Sequence, residues 1–337
     1  MSRHYKSADL RGKTVLITGA SSGFGEAIAW RCAELGGKLI LLARRKERLE
    51  ILQSEITAEY PDVEINLVVM DVRNTEEVQS LPSSLPPAFR EVDILINNAG
   101  LALGTDPVQS NSIEDIKTML DTNVLAVAVF TKVFTPGMVA KNSGHIVNIG
   151  STAGHESYAG GSMYCASKHA LRAFTNAARD DLVGTDIRVT LISPGAAETE
   201  FSIVRFKGDV DKAANVYKGF AAMNAADVAD QIVFAITRPP HVQINDIIVT
   251  SVHQSGARTI ARPLQNKTII MQSASSAAAS GLRNLALRSQ CWGGSKNTWA
   301  VRGSSGRRIL KGKQISAILV KQCYAARWTV VLGRHKC

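Results

Sequence analysis

Tyr164 and Lys168 stand four residues apart in Tyr164-Cys165-Ala166-Ser167-Lys168, inside a stretch of helical periodicity, so their side chains share one helix face. A free tyrosine ionises near about pH 10, too high for a base at neutrality; a neighbouring ammonium favours phenolate and lowers that value. Such a pair is suited to moving a proton on and off a substrate hydroxyl. Upstream, Ser151 follows the strand-like run His145–Gly150. A hydroxyl at the carboxyl end of a parallel strand sits where open α/β sheets bind ligands. Taken singly, a surface Tyr/Lys pair and a loop serine are the ordinary explanations. Together with the glycine turn described next, they become specific.

That turn follows Val15-Leu16-Ile17 and reads Thr18-Gly19-Ala20-Ser21-Ser22-Gly23-Phe24-Gly25, leading straight into an amphipathic helix. Missing side chains permit a tight turn and let backbone N–H groups approach a pyrophosphate, while the helix N-terminus adds unpaired donors and a positive dipole end. The segment Gly19-Ala20-Ser21-Ser22-Gly23 also matches a hydrolase nucleophile elbow with Ser21 as nucleophile. Such an elbow normally follows several strands, and this one follows the first, so nucleotide binding is the better reading. At the end of the second strand a carboxylate would receive a ribose 2′-hydroxyl. Here Ala43 is followed by Arg44 and Arg45, whose guanidinium forks suit a 2′-phosphate and favour NADP over NAD.

The elements that must position these residues alternate. Strands are expected at Lys13–Thr18, Lys38–Ala43, Ile65–Asp71, Asp93–Asn97, His145–Gly150, Arg188–Ser193 and Asp246–Thr250. Helices are expected at Phe24–Leu35, Lys46–Tyr60, Thr75–Leu81, Ile113–Lys141, Ser162–Leu182 and Ala226–Thr237. Several strands are nearly continuous in Val, Ile and Leu, as parallel strands buried on both faces are. The fold class is therefore α/β: a Rossmann-type, doubly wound, parallel seven-stranded sheet with helices on both faces.

Composition limits the rest. The chain has 337 residues, 45% hydrophobic and 20% charged, with five cysteines and a net charge of +10. Of its 39 Lys and Arg, 13 lie after Arg262, where no Asp or Glu occurs; the first 262 residues keep 26 against all 29 acidic side chains. The body is mildly acidic, and the basic balance belongs to a C-terminal extension, so a whole-protein nucleic-acid function is not supported. One catalytic domain is expected over 1–262 and a basic, acid-free, poorly ordered extension over 263–337. No C-x-x-C pair, secretory leader or apolar run long enough for a membrane span is present, which points to a cytoplasmic protein without a membrane or nucleic-acid partner. His145, His155 and His169 lack metal-ligand spacing and read as structural, with His155 the one expected to border the cleft; no metal site is expected.

With those residues in place, the chain resembles the short-chain dehydrogenase/reductase family over about residues 10–260. The resemblance rests on Thr18-Gly19-x-x-x-Gly23-x-Gly25, Asp71, Asn97-Asn98-Ala99-Gly100, Asn123, Ser151, Tyr164-x-x-x-Lys168 and Pro194-Gly195. The run Glu198–Asp209, with Asn215-Val216-Tyr217 and Asp227-Val228-Ala229, is similar to the subgroup of NADP-dependent 3-hydroxy acid dehydrogenases that includes serine dehydrogenases.

That resemblance implies a catalytic set of Asn123, Ser151, Tyr164 and Lys168. Tyr164 would take the hydroxyl proton and Ser151 would hydrogen-bond the reacting oxygen. Lys168 would lower the Tyr164 pKa and bind nicotinamide ribose, and Asn123 would hold a relay water. NADP would meet Gly19, Ser21, Ser22, Gly23, Phe24, Gly25, Arg44, Arg45, Asp71, Val72, Asn97, Asn98, Ala99, Gly100, Tyr164, Lys168, Pro194, Gly195 and Thr199. Within that set Asn97 is assigned to the adenosine-side ribose and Asp71 to the adenine edge. A small hydroxy acid would be held at Ser151 and by Arg205 as a carboxylate clamp. The implied activity is oxidation of L-serine, L-allo-threonine or 3-hydroxyisobutyrate, in a homotetramer assembled through the helices containing Asn123 and Tyr164. The alternatives are a broad carbonyl reductase or alcohol dehydrogenase of the same family, and a catalytically silent NADP-binding regulator.

Overall fold

The computed structural model describes residues 9–262, together with the short strands Ala286–Leu287, Thr298–Gly303, Gly306–Lys311 and Val331–Leu332. The chain divides into two units, 1–266 and 267–337. In the second, Thr298–Gly303 pairs antiparallel with Gly306–Lys311, and Ala286–Leu287 pairs parallel with Val331–Leu332. The expectation of poor order in the extension falls on residues outside the described ones.

In the first unit, β1 (Thr14–Thr18), β2 (Lys38–Ala43), β3 (Ile65–Val69), β4 (Ile94–Asn97), β5 (Gly144–Ile149), β6 (Ile187–Pro194) and β7 (Asp246–Val249) form one parallel sheet. Their order is β3-β2-β1-β4-β5-β6-β7. The chain runs outward from β1 to β3, then returns to lay β4 on the other side of β1. This reversal opens a crevice at the carboxyl ends of β1 and β4.

Strand side chains alternate between two apolar layers. Val15 and Ile17 of β1 face α1 (Gly23–Glu34), α2 (Lys46–Glu59) and α9 (Ala225–Ile236), packing with Ile28, Leu49 and Ile232. Leu16 faces α3 (Thr75–Ser84) and α5 (Ala126–Ala140), meeting Val78, Phe130 and Phe134. Each such buried side chain contributes on the order of 1.5–3 kcal/mol. Helix starts carry their own signals: Asn74 accepts from the Glu77 N–H, and Asn224 forms a reciprocal capping box with Asp227.

The long helix expected over 113–141 is not uniform. α4 (Ile113–Leu120) passes through a π-helical turn, Asp121–Leu125, before α5 begins. The turn carries the buried Asn123, whose side chain is fastened to Leu101 and Ser167, and such bulges recur at functional positions. By length and composition Ile113–Ala140 could cross a membrane, yet Ala126, Phe130, Phe134 and Met138 pack into the second apolar layer.

α6 (Ser162–Asp181) follows β5, and two further helices, α7 (Phe201–Arg205) and α8 (Val210–Tyr217), lie between β6 and α9. Sequence periodicity missed α7 and α8 because each spans barely two turns or fewer.

Candidate active site

A cavity of about 700 Å³ opens at the reversal point, lined by the segments that follow β1 to β6. At its floor, the Thr18 hydroxyl accepts from the Asn98 and Ala99 N–H groups, each at 3.0 Å. The Asn98 amide donates to the Thr18 carbonyl at 2.8 Å and to Gly19 at 3.3 Å. These bonds lock the end of β4 onto the glycine turn. Gly19 has φ +68°, a conformation that disfavours any side chain. Gly25 lies in α1 where a Cβ would strike the Gly19 carbonyl and come within 2.7 Å of Asn98 Nδ2. Of the turn residues expected to meet a nucleotide, Gly19, Ser21, Ser22, Gly23 and Phe24 line the cavity. Gly25 does not; it serves the close packing of helix on turn.

Arg45 reaches back over this turn. Its Nε donates to Ser21 Oγ at 3.1 Å, one Nη donates to Ser22 Oγ at 2.7 Å, and the other to Glu200 at 2.9 Å. Arg44 is freer, 66% exposed and 3.8 Å from Asp71, while Arg73 binds Asp71 at 2.7 Å. Hydrogen bonding from Arg73 holds the Asp71 carboxyl below its ordinary value. Arg44, Arg45, Asp71 and Val72 all line the cavity, and so does Arg73, which sequence reasoning missed.

Asn97 requires a correction. Expected on a ribose, it is buried inside the sheet, donating to Asn148 at 2.8 Å and lying 3.4 Å from the Thr131 hydroxyl of α5. It ends β4 on the face that Leu95 occupies, while its neighbours Asn98, Ala99 and Gly100 line the cavity.

At the far end of the cavity, Ser151 follows β5 and accepts from the Ala153 N–H at 3.1 Å. Its hydroxyl also hydrogen-bonds Tyr164, which α6 carries one turn before Lys168. Both α6 residues are buried yet border the cavity. Burial pushes the Tyr164 phenol well up, against lowering by the Ser151 hydrogen bond and the Arg205 cation. Burial brings Lys168 down to about 8. The ammonium is not bonded to the phenol: it donates to the Ile149 carbonyl at 2.7 Å, and lies 6.0 Å from the Tyr164 ring centroid. Lys168 is thus not among the groups that favour the phenolate here: Ser151 and Arg205 are, and burial outweighs both.

Asn123 lies behind this cluster, not in the cavity wall. Its amide donates to the Leu101 carbonyl at 2.8 Å and Ser167 at 3.0 Å, and its oxygen accepts from the Leu101 N–H at 2.9 Å. His155 also stays out of the wall, bonded to Ser193 at 3.0 Å and 3.3 Å from Asp246. Pro194, Gly195 and Thr199 line it. Among the described residues no group of three or more His, Cys, Asp or Glu is placed to hold a metal ion.

Arg205, on α7, points a guanidinium toward the same cluster. One Nη donates to the Tyr158 hydroxyl at 3.1 Å, and the guanidinium carbon lies 5.7 Å from the Tyr164 ring centroid. Its Nε and second Nη are buried without a partner. A buried charged donor left open is costly unless a ligand fills it. Sequence reasoning missed Tyr158, Phe201 and Gln254, which also line the cavity. Loop positions such as Tyr158 and Gln254 carry no periodic signal, and Gln254 reaches the wall by accepting from the Ala196 N–H across 58 residues.

An open parallel sheet with a glycine turn at its reversal point, and a Ser, Tyr and Lys gathered at the other end of one cavity, defines a nucleotide-linked oxidoreductase. The short chain dehydrogenase family matches residues 13–209, and the chain belongs to that family. It is 46% identical over 254 residues to an NADP-dependent 3-hydroxy acid dehydrogenase of Schizosaccharomyces pombe, covering 75% of this chain and 98% of that one. It is 40% identical over 244 residues to the serine 3-dehydrogenase of Agrobacterium fabrum, covering 72% of this chain and 96% of that protein. Among solved structures, the closed form of a serine dehydrogenase complexed with NADP+ superposes with a TM-score of 0.69 at 45% identity. That match covers 72% of this chain and 97% of the other.

Proposed function

We propose that this protein is an NADP-dependent dehydrogenase that oxidises the hydroxyl of small 3-hydroxy acids of the L-serine, L-allo-threonine or 3-hydroxyisobutyrate type. The observation that carries the reading is the pair of unpartnered, buried donors on Arg205 beside Tyr164. A carboxylate is the ligand that a planar guanidinium fork takes in two parallel hydrogen bonds. Relatives named for 3-hydroxy acids and serine support it.

The residues fit the coenzyme. The glycine turn and the N-terminus of α1 form a cradle at the cavity wall, packed so closely that a Cβ at Gly25 would push Gly19 out of place, and they present backbone donors suited to a pyrophosphate. Arg44, exposed at the end of β2, has its guanidinium available for the 2′-phosphate, whereas Arg45 is engaged with Ser21, Ser22 and Glu200. NADP bound there supplies the acceptor for the hydride that leaves the carbinol carbon.

The chain's own groups supply the rest. Arg205 binds the carboxylate and so fixes which carbon faces the cluster. Ser151 hydrogen-bonds the reacting oxygen, and Tyr164 exchanges its proton. Burial holds Tyr164 protonated at rest, so removal of the substrate proton quickens as pH rises. Lys168, Asn123 and a water form the route by which that proton leaves, with Asn123 fixed in place by Leu101 and Ser167. The protein is a homotetramer in this reading; Leu120, Leu125 and Val139, exposed along α4, the π-helical turn and α5, support a surface that another copy covers.

The test is reduction of NADP by the full-length chain, followed by NADPH absorbance, with the three hydroxy acids and a simple secondary alcohol, and with NAD in parallel. Selective turnover of the acids with NADP is expected, and Tyr164→Phe should lower kcat by about 10²–10⁴-fold. Turnover of the simple alcohol alone, equal use of NAD, or an unimpaired Tyr164→Phe would overturn it.

A further inference from the structure

The cavity wall is strongly cationic. Eight Lys and Arg line it against two carboxylates, Asp71 and Glu200, and each carboxylate is matched by an arginine, Arg73 or Arg45. At the Tyr164 end no carboxylate lines the wall among the described residues, yet two guanidinium groups press on one aromatic ring. The guanidinium carbon of Arg205 lies 5.6 Å from the Tyr158 ring centroid, and that of Arg258 lies 4.4 Å from it. The separation of the two cations cannot exceed the sum of those distances.

Arg258 is held there by its segment. The neighbouring Ala257 N–H donates to Glu156 at 2.9 Å. Gln254 is braced twice, accepting from the Ala196 N–H at 2.8 Å and donating to the Gly256 carbonyl at 2.9 Å. Arg258 itself has one long hydrogen bond, 3.4 Å to the Ala159 carbonyl. It has no carboxylate within 4.0 Å among the described residues. Arg262 differs, since it donates to the Lys218 and Val216 carbonyls at 3.0 Å each. Two like charges gathered on one ring, both short of counter-charge, are stabilised by anions. One substrate carboxylate satisfies Arg205; Arg258, further out and exposed, calls for another.

We infer that Arg258 is a second anion-binding arm of the substrate cleft, and that the preferred substrates are 3-hydroxy acids with a second carboxylate beyond the carbinol carbon. The inference rests on the 3-hydroxy acid reading above and narrows it. Arg205 holds one carboxylate beside Tyr164, and Arg258 meets the other, on the opposite side of the carbinol carbon, at the cavity mouth. Tyr158 is the spacer that sets the span between them.

The experiment compares 3-hydroxyglutarate with 3-hydroxyvalerate, a monoacid of the same chain length, using the full-length chain and NADP. The expected kcat/KM ratio favours the diacid by about three- to fivefold, the range open to an exposed charge pair. In Arg258→Gln the ratio falls toward one. Calorimetry with glutarate and pentanoate, which cannot react, should give the same preference and the same loss in the variant. Equal handling of the two acids, or a ratio unmoved by Arg258→Gln, overturns the inference. An equal fall on both acids would also overturn it, since Arg258 would then share the single carboxylate. If neither hydroxy acid reacts while a simple alcohol does, the 3-hydroxy acid reading fails; the glutarate preference in calorimetry then decides separately whether the second arm exists.

Discussion

Lys168 Nζ donates to the carbonyl of Ile149 at 2.7 Å, tying α6 to the end of β5 at the point where Ser151 begins. The ammonium is buried, and its charge is disfavoured enough to bring it to about 8 from an ordinary 10.5. Below about 8 the folded and unfolded chains are both protonated at this site, and the folded one carries the full cost of the buried charge. Between about 8 and 10.5 the folded chain releases the proton while the unfolded chain keeps it, so folding stability rises with pH. The size is on the order of 3 kcal/mol. Denaturant unfolding of the wild-type chain and Lys168→Met across that range should show the wild type gaining on the variant. A pH-independent difference would contradict the burial argument.

How far the molecule was legible beforehand depended on how local each signal was. All seven strands fall within two residues of their expected bounds, because runs of Val, Ile and Leu are read without reference to the rest of the chain. Tyr164 and Lys168 were legible from their four-residue spacing on one helix face and Ser151 from its place after the β5 run, but only the distant glycine turn made the three specific. Asn97 was misplaced by a single position: alternation along β4 turns it toward Thr131, while its neighbour Asn98 holds the glycine turn. The π-helical turn at Asn123 leaves no mark on hydrophobic periodicity. The segment that carries Gln254 and Arg258 was passed over because its partners, Ala196 and Glu156, are distant in the chain.

Gly25→Ala tests the close packing of α1 on the turn. The added Cβ has to displace Gly19 or Asn98, which together hold the cradle. A loss of about 1–3 kcal/mol in stability is expected, with NADP affinity weakened at least about tenfold. Denaturant unfolding and calorimetric titration measure the two effects; a stable variant with unchanged affinity would show that the contact is not limiting.

Arg44 and Arg45 have different surroundings, and their variants should differ. Arg44→Gln removes the freer guanidinium and should weaken NADP about tenfold while leaving NAD within a factor of two. Arg45→Gln also releases Ser21, Ser22 and Glu200, so both coenzymes should weaken. Titration of each coenzyme into each variant separates these outcomes. Equal losses for NADP and NAD in Arg44→Gln would remove Arg44 from the phosphate site.

The central claim is that Arg205 selects a carboxylate beside Tyr164. It is tested most directly by kcat/KM for 3-hydroxybutyrate and for 2-butanol, in the wild-type chain and in Arg205→Met. Removing a buried, charge-assisted pair should cut the acid-to-alcohol ratio by about 10–100-fold. An unchanged ratio, with the acid and the alcohol falling together or not at all, would contradict the account.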